Sequence, residues 1–230
     1  MKKILYGLLI PCIFGAVSCK KDNSGGTPAP VKFMTLTAGS GWNYKFTNNP
    51  STTPVTSNYT VTATNRDTTS NGKKYTVFSN SSGPNEYYNI SGSDYYTYRS
   101  LQTSFLDTTL EVLYLKDNLG VGGTWEQGIP FSIDFLGTPI TLTLTFRNKI
   151  AQKGISKTVN GITYTDVTDV ETTLSLTGSP IPVTLTSDIH YYYAPKVGQI
   201  ENKTVINLTA TGLPPTNVEQ KTELQSSTIL

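Results

Sequence analysis

Apolar and polar residues alternate one by one along several long segments of this chain, and this period of two constrains the fold more than any other feature. In residues 140–147, Ile, Leu, Leu and Phe alternate with Thr, Thr, Thr and Arg, and residues 183–193 repeat the pattern with an interruption at Ser187. Successive side chains of a β-strand point to opposite faces, so each segment predicts a strand with one apolar and one hydroxylated face. Buried parallel strands have continuous apolar runs instead, so the alternation favours antiparallel pairing.

Turn residues between these segments support the same assignment. Asn160-Gly161 separates Val159 from Ile162 and is typical of a type I′ hairpin, in which both central residues need positive φ. No window after residue 40 has the period of an amphipathic helix. We therefore predict an all-β fold with one domain at residues 36–230, in which a curved antiparallel sheet of about 10–12 strands forms an open half-barrel. A two-sheet β-sandwich is the alternative.

The N-terminus has the pattern of a bacterial lipoprotein signal. Lys2 and Lys3 precede an apolar run that ends in Ala16-Val17-Ser18-Cys19, and the run is too short to span a membrane as a helix. Small residues directly before a cysteine resemble a lipobox, although Ala16 stands where leucine is commonest. The resemblance implies that residues 1–18 are removed and that Cys19 becomes the acylated N-terminus, carrying fatty acids such as palmitate. An ordinary secretory signal followed by a chance cysteine is the alternative.

The remaining cysteine and the residues after Cys19 extend this interpretation. Cys12, the other of the two cysteines, lies in the predicted signal, so the mature chain has no disulfide, thiolate metal site or cysteine nucleophile. Residues 19–35 contain Gly, Ser and Pro and predict a flexible tether to the membrane. Lys20 directly after Cys19 resembles the sorting pattern of outer-membrane lipoproteins. We therefore expect an outer-membrane location and leave the leaflet open.

The balance of charges excludes one class of partner. Eighteen Lys and Arg residues face 16 Asp and Glu residues, and two of the lysines lie in the predicted signal. A neutral mature chain without a basic block has little electrostatic attraction for nucleic acid, so no nucleic-acid partner is expected.

Three motifs together resemble a group of Bacteroidota envelope lipoproteins. They are Gly123-Thr124-Trp125 after a glycine-containing loop, the hairpin at residues 159–167 and the segment at residues 191–200. Lys196 stands where this group usually has glycine. The resemblance covers roughly residues 40–210 and implies a LolA/LolB-like half-barrel, an open antiparallel sheet around an apolar concavity. It implies no catalytic residue.

Polar clusters offer little support for catalysis. His190 is the only histidine, and Asp188 is expected on the same strand face, but no Gly-x-Ser-x-Gly elbow is present. Asp166, Asp169 and Glu171 form the densest carboxylate group, which a solvated strand face explains better than glycosidase acids or calcium ligands. We therefore predict no enzyme activity, no metal site and no cofactor. A hydrolase that uses these three carboxylates is kept as a third hypothesis.

The expected function is the binding of a hydrophobic or amphipathic, lipid-like ligand in the concavity of a membrane-anchored protein. The residues predicted to line the pocket form the apolar faces of two segments, with a tryptophan near the rim: Trp125, Phe131, Phe135, Leu142, Leu144 and Phe146. The alternative is a surface module that binds glycans or has a structural role. It would use exposed tyrosines, for which the candidates are Tyr88, Tyr96 and Tyr192. Protein partners are left open.

Overall fold

The structure is a computed structural model that describes residues 32–48, 54–103, 106–135, 137–179, 182–211 and 215–230, with side chains except at 99–109 and 133–135. The predicted signal peptide, Cys19 and the tether up to residue 31 lie outside the described residues. Within the described ranges, no helix has the length and hydropathy needed to cross a membrane.

The regular structure in the described part of the chain consists of twelve β-strands. In chain order they are β1 (Gly41–Asn48), β2 (Val55–Ser70), β3 (Lys73–Asn80), β4 (Glu86–Ser91), β5 (Asp94–Thr103), β6 (Leu106–Lys116), β7 (Thr124–Phe135), β8 (Thr138–Val159), β9 (Ile162–Thr177), β10 (Val183–Ala194), β11 (Gly198–Ala210) and β12 (Thr216–Thr228). The all-β prediction is confirmed.

The twelve strands form one antiparallel sheet with the order β6-β5-β4-β3-β2-β1-β12-β11-β10-β9-β8-β7. Each of the strands β1–β11 except β6 pairs with the described strand that follows it in the chain. The first strand also pairs with the last, with Trp42 opposite Ser227. The sheet therefore curls into a nearly closed barrel, whose unpaired edges among the described strands are β6 and β7. The two-sheet alternative is wrong, because successive hairpins extend one ladder rather than building a second layer.

The apolar positions of neighbouring strands lie in register and therefore on one face of the sheet. Leu144 of β8 is opposite Ile129 of β7 and Leu176 of β9. Phe146 is opposite Leu174 in the same way. This is the arrangement that the two-residue alternation predicts, and the curvature of the sheet turns the apolar face towards the barrel interior.

The gap between β6 and β7 is bridged by side chains rather than by a backbone ladder, and we call this region the seam. The indole Nε1 of Trp125 on β7 donates a hydrogen bond to the carbonyl oxygen of Leu113 on β6 at 2.8 Å. The backbone N–H of Leu113 donates to Oε1 of Gln127 at 3.1 Å, and Gln127 Nε2 donates to the carbonyl oxygen of Glu111. Two β7 side chains therefore satisfy edge groups of β6 that would otherwise be unpaired.

One end of the barrel is covered by the segment that precedes β1. The backbone N–H of Lys196 donates to the carbonyl oxygen of Lys32 at 2.7 Å. Phe33 is 7% exposed, and its N–H donates to the hydroxyl of Tyr95 at 3.1 Å. Residues 32–35, which the sequence analysis assigns to the tether, are thus in contact with the domain. A buried aromatic ring provides the reason, since Phe33 packs with Tyr95 at a centroid distance of 6.5 Å.

Two turns depend on backbone conformations with positive φ. Asn160 and Gly161 have φ values of 49° and 78°, which confirms the predicted type I′ hairpin between β8 and β9. Lys196, between β10 and β11, has a φ of 66°. This is the left-handed region that favours glycine, so the lysine at this position has a strained backbone.

Candidate ligand-binding site

The barrel contains a cavity of about 580 Å³ on the inner face of its sheet. Small-molecule pockets typically occupy about 300–1,000 Å³, so the volume suits a ligand of moderate size. Aromatic side chains form much of the wall, among them Trp42, Phe46, Tyr59, Tyr114, Phe146 and Tyr191.

The alternation within β1 and β2 places aromatic rings on the cavity wall. Trp42, Tyr44 and Phe46 of β1 all line the cavity, at every second position of the strand. The ring of Tyr44 stacks on that of Tyr59 in β2, with centroids 5.4 Å apart. Val61, in register with Trp42, continues the wall along β2. The period of two seen in the sequence therefore builds the cavity surface directly.

The wall also has a polar part, so the cavity is amphipathic. Its neutral polar residues include Asn148, Thr172, Asn202, Thr204, Gln220 and Thr222. Asn148 is 4% exposed, and its Oδ1 accepts a hydrogen bond from the Thr172 hydroxyl at 2.7 Å. Its Nδ2 has no hydrogen-bond partner among the described residues. A buried amide without a partner is unfavourable by about 1–3 kcal/mol, which a ligand acceptor could offset.

Glu86 at the start of β4 contributes a carboxylate to the cavity wall. It is the only Asp, Glu, Lys, Arg or His among the described residues that line the cavity. Nδ2 of Asn80 donates a hydrogen bond to Glu86 Oε1 at 2.8 Å, and the Tyr88 hydroxyl donates to Oε2. Both donors are neutral, so they orient the carboxylate without neutralising its charge.

The six residues predicted to line the pocket are distributed unevenly. Phe146 lines the cavity. Phe131, Leu142 and Leu144 share its sheet face by register, but they lie nearer the β7–β8 turn and outside the cavity. The side chain of Phe135 lies outside the described residues. Alternation identifies the face of a strand that turns inward, but it does not identify how far along the barrel the cavity extends.

Trp125 also lies outside the cavity, in contrast to its predicted position at the rim. It is 7% exposed and packs in a core cluster with Leu115 and Ile150. Its indole N–H is committed to the carbonyl oxygen of Leu113. The structure therefore gives Trp125 a role in closing the seam, because a buried indole needs an acceptor and the edge of β6 supplies one.

The three tyrosines predicted as a stacking surface do not share one face. Tyr88 lines the cavity and is in register with Thr97, whereas Tyr96 is the next residue of β5 and lies on the opposite face. Lys73 Nζ lies 3.8 Å from the Tyr96 ring centroid. Tyr192 also lies opposite the cavity face, with an ammonium group 3.6 Å from its ring centroid. A lysine ammonium group thus occupies one face of the Tyr96 ring and one face of the Tyr192 ring.

The outer face of β9 and β10 carries a network of polar contacts around the single histidine. His190 Nδ1 lies 2.8 Å from Oδ1 of Asp169, which is 4% exposed, and His190 Nε2 lies 3.3 Å from Asp188. The expected proximity of Asp188 and His190 is therefore observed. Glu171 pairs with Lys149 at 3.3 Å, and Asp166 is exposed at a φ of 55°. The candidate carboxylates thus have separate environments on a convex face.

Tyr192 lies on the same outer face, and the pKa of its hydroxyl is raised. Burial raises the pKa of Tyr192 to about 12, and the negative charges of Asp169 and Glu201 add to the effect. A tyrosinate beside two carboxylates is unfavourable, so the hydroxyl keeps its proton.

Sequence reasoning missed two features of these sites. Asp169 and His190 are 21 residues apart in the chain, and their contact depends on the cross-strand register of β9 and β10. No sequence pattern identified Glu86 as a cavity residue, because it lies in a short strand. Its neighbour Tyr88 was interpreted as a tyrosine exposed on the surface. The Asn80–Glu86–Tyr88 contacts follow from the β3–β4 hairpin, which Ser82-Gly83-Pro84-Asn85 indicates in the sequence.

Comparisons with known proteins establish the fold and little else. The structure is similar to that of a predicted lipoprotein from Parabacteroides distasonis, with 12% sequence identity, coverage of 86% of this chain and 99% of that chain, and a TM-score of 0.51. It is also similar to a predicted exported protein with a YmcC-like fold from Bacteroides fragilis, with 7% identity, the same coverage and a TM-score of 0.45. No protein-family model and no curated protein matches the sequence. These similarities do not establish a LolA/LolB-like fold, so that part of the expected resemblance stays a prediction.

Proposed function

We propose that this protein is a lipid-anchored outer-membrane lipoprotein that binds an amphipathic, lipid-like ligand inside its barrel and catalyses no reaction. The observation that carries this proposal is the cavity of about 580 Å³, with its aromatic and aliphatic wall and a smaller neutral polar part. Each Å² of apolar ligand surface that leaves water contributes about 25 cal/mol, so such a wall favours a ligand with an apolar body.

Support for the anchor comes from the N-terminus and from the related structure. The lipobox-like sequence ends at Cys19, and the segment 20–31 then leads to the first described residue, Lys32. The Parabacteroides protein with a similar fold is itself described as a predicted lipoprotein. We therefore place this chain in the bacterial envelope, held to a membrane by acylated Cys19, with the barrel as its ligand-binding domain.

The cavity favours this function over the glycan-binding alternative. A glycan module needs a flat surface on which neighbouring rings are free to stack on sugars. Tyr88 lines the interior, and the rings of Tyr96 and Tyr192 carry lysine ammonium groups at 3.8 and 3.6 Å. The hydrolase hypothesis gains little, because Asp169 is bonded to His190 and Glu171 to Lys149 on a convex face without a cleft between them.

A pair of matched substitutions on β11 tests ligand binding. Thr204 lines the cavity, whereas Thr209 is exposed and lies on the opposite face of the same strand. Purified protein is titrated with the neutral fluorescent probe N-phenyl-1-naphthylamine. We expect Thr204→Trp to weaken binding by about tenfold or more, because the indole fills part of the cavity, and Thr209→Trp to leave the affinity unchanged. Circular dichroism and thermal unfolding of both variants check that the fold is intact.

Two results would count against the proposal. If the wild-type protein does not bind the probe, or if both tryptophan variants bind it equally, the cavity is not the binding site.

For the anchor, cells are labelled with palmitate and their membranes fractionated. We expect the wild-type protein to carry the label and Cys19→Ala to abolish it. An unlabelled wild-type protein would contradict acylation.

A further inference from the structure

We propose that the polar part of the ligand is a neutral head group with several hydroxyls, such as a single sugar, which binds to a belt of amide and hydroxyl side chains in the cavity; this inference rests on the proposed function. The set, which we call the polar belt, consists of six cavity-lining residues on β8, β9, β11 and β12: Asn148, Thr172, Asn202, Thr204, Gln220 and Thr222. None of the six side chains is ionisable, and each one can both donate and accept hydrogen bonds.

The strand register makes most of the polar belt one continuous row. Asn148 of β8 is opposite Thr172 of β9, and Thr204 of β11 is opposite Gln220 of β12. Ile189 of β10 pairs with both Thr172 and Thr204, so the row crosses five neighbouring strands. Neighbouring strands lie about 4.8 Å apart, so a small ring with hydroxyls on several carbons can reach more than one of these side chains.

Apolar side chains adjoin the polar belt on the side of the β7–β8 turn. Phe146, Leu174 and Ile206 line the cavity there, and each is two positions along its own strand from a residue of the belt. Phe146 and Leu174 are also opposite each other in the β8–β9 ladder. The head group and the apolar chain of an amphipathic ligand therefore have adjacent but separate contact surfaces on this wall.

The hydrogen bonds within the polar belt match a hydroxylated ligand. The Thr172 hydroxyl donates to Oδ1 of Asn148 at 2.7 Å, and the Thr204 hydroxyl donates to Oδ1 of Asn202 at 3.2 Å. Both threonine oxygens therefore keep acceptor capacity. Nδ2 of Asn148, by contrast, is a donor without a partner among the described residues. A hydroxyl both donates and accepts, so it suits such a mixed set, whereas a carboxylate only accepts and an ammonium only donates.

The polar belt also disfavours two other classes of head group. A charged head group loses hydration on entering the cavity, which is strongly unfavourable unless an opposite charge compensates, and the belt itself supplies none. A single hydroxyl can pair with one or two members of the belt and leaves the others without the water that the ligand displaces. A sugar ring replaces more of those hydrogen bonds, so it should bind more tightly than a simple alcohol with the same chain.

The test compares four probes with the same C8 chain and different head groups: octyl β-D-glucopyranoside, octan-1-ol, octanoate and octylamine. Each probe is kept below its critical micelle concentration and measured by displacement of N-phenyl-1-naphthylamine from the wild-type protein at neutral pH. We expect the glucoside to bind about tenfold more tightly than octan-1-ol, and octanoate and octylamine to bind more weakly than the glucoside. This ranking needs no variant, so it does not depend on whether a substituted protein folds.

A double substitution assigns the preference to the polar belt. Thr204→Val and Gln220→Met together remove a hydroxyl and a carboxamide with little change of shape. They should lower the affinity for the glucoside about tenfold, to that for octan-1-ol, and leave the affinity for octan-1-ol unchanged. The matched control combines Thr209→Val with Gln152→Met, because both residues are exposed and neither lines the cavity. The control protein should bind all four probes as the wild type does.

The possible results separate this assignment from the proposed function. Equal binding of the glucoside and octan-1-ol, or tighter binding of either charged probe than of the glucoside, overturns the head-group assignment and leaves the proposed function intact. A double variant of the belt that keeps the wild-type preference for the glucoside also overturns the assignment, as does an equal loss of affinity in the control. If no probe binds, including the naphthylamine, both proposals fail.

Discussion

We expect the stability of the seam between β6 and β7 to depend on Gln127 more than on any other exposed or half-buried glutamine of the described residues. In Gln127→Ala the carboxamide that accepts from the N–H of Leu113 and donates to the carbonyl of Glu111 is removed. Within the described residues no backbone ladder replaces these bonds, because β6 and β7 are the two edges of the sheet. The substitution therefore leaves two edge groups of β6 without their protein partners.

The size of the effect follows from those two hydrogen bonds. A hydrogen bond contributes about 0.5–1.5 kcal/mol net, so the free energy of unfolding should fall by about 1–3 kcal/mol. For a domain of this size 1 kcal/mol corresponds to about 2–4 °C in the melting temperature. A loss of about 2 kcal/mol would thus lower the melting temperature by about 4–8 °C. Trp125 keeps its own bond to Leu113, so the seam should weaken locally without the barrel unfolding.

Urea denaturation and amide hydrogen exchange together separate this local effect from a general one. The control is Gln152→Ala, since Gln152 is exposed on β8 and makes no hydrogen bond that closes the seam. We expect the Leu113 amide to exchange faster in Gln127→Ala, while amides in the middle of β10 and β11 change only as far as global stability does. If Gln127→Ala and Gln152→Ala unfold alike and the Leu113 amide keeps its protection, the side-chain closure of the barrel is wrong.

Two further predictions concern the outer face of β9 and β10. Asp169→Ala should lower the free energy of unfolding by about 1–3 kcal/mol, because His190 loses its buried partner. Asp188→Ala, at a residue whose side chain is 56% exposed, should change the free energy of unfolding by less than about 1 kcal/mol. Equal effects in urea denaturation would contradict the assignment of Asp169 as the structural partner. The second prediction concerns alkaline pH. Folding raises the pKa of Tyr192 from 10.0 to about 12. The protonated Tyr192 hydroxyl therefore contributes its full stabilisation below pH 10, and this contribution is lost as the pH rises through 12. Stability measured between these limits should fall less steeply in Tyr192→Phe than in the wild type, and identical slopes would refute it.

The fold was predictable because its determinants are local. Alternation along residues 140–147 and the Asn160-Gly161 turn each specify a strand face or a reversal without reference to distant residues. The same local rule correctly placed Asp188 beside His190, two positions away on the same strand. It also placed Phe146 on the inner face of the barrel.

The contacts across strands were not predictable, because they depend on register. The pairing of β8 with β9 shifts at three irregular positions between Ile150 and Lys157, and each shift changes which side chains are opposite one another. No pattern in the sequence places Asp169 against His190 or Trp125 against the edge of β6. The barrel was expected to be more open, and the part that closes it consists of two side chains whose role appears only when β6 and β7 are adjacent.

The number of strands gives a physical reason for the cavity. A barrel of about eight strands has an interior that its own side chains fill, whereas barrels of about 16–18 strands enclose a water-filled channel. With twelve strands curled into one nearly closed sheet, the interior of this protein lies between these limits. Large rings such as Trp42 and Phe46 reduce the interior to a cavity of about 580 Å³ without filling it. Strand number therefore determines that space remains, and the residues at alternate strand positions determine the shape and polarity of that space.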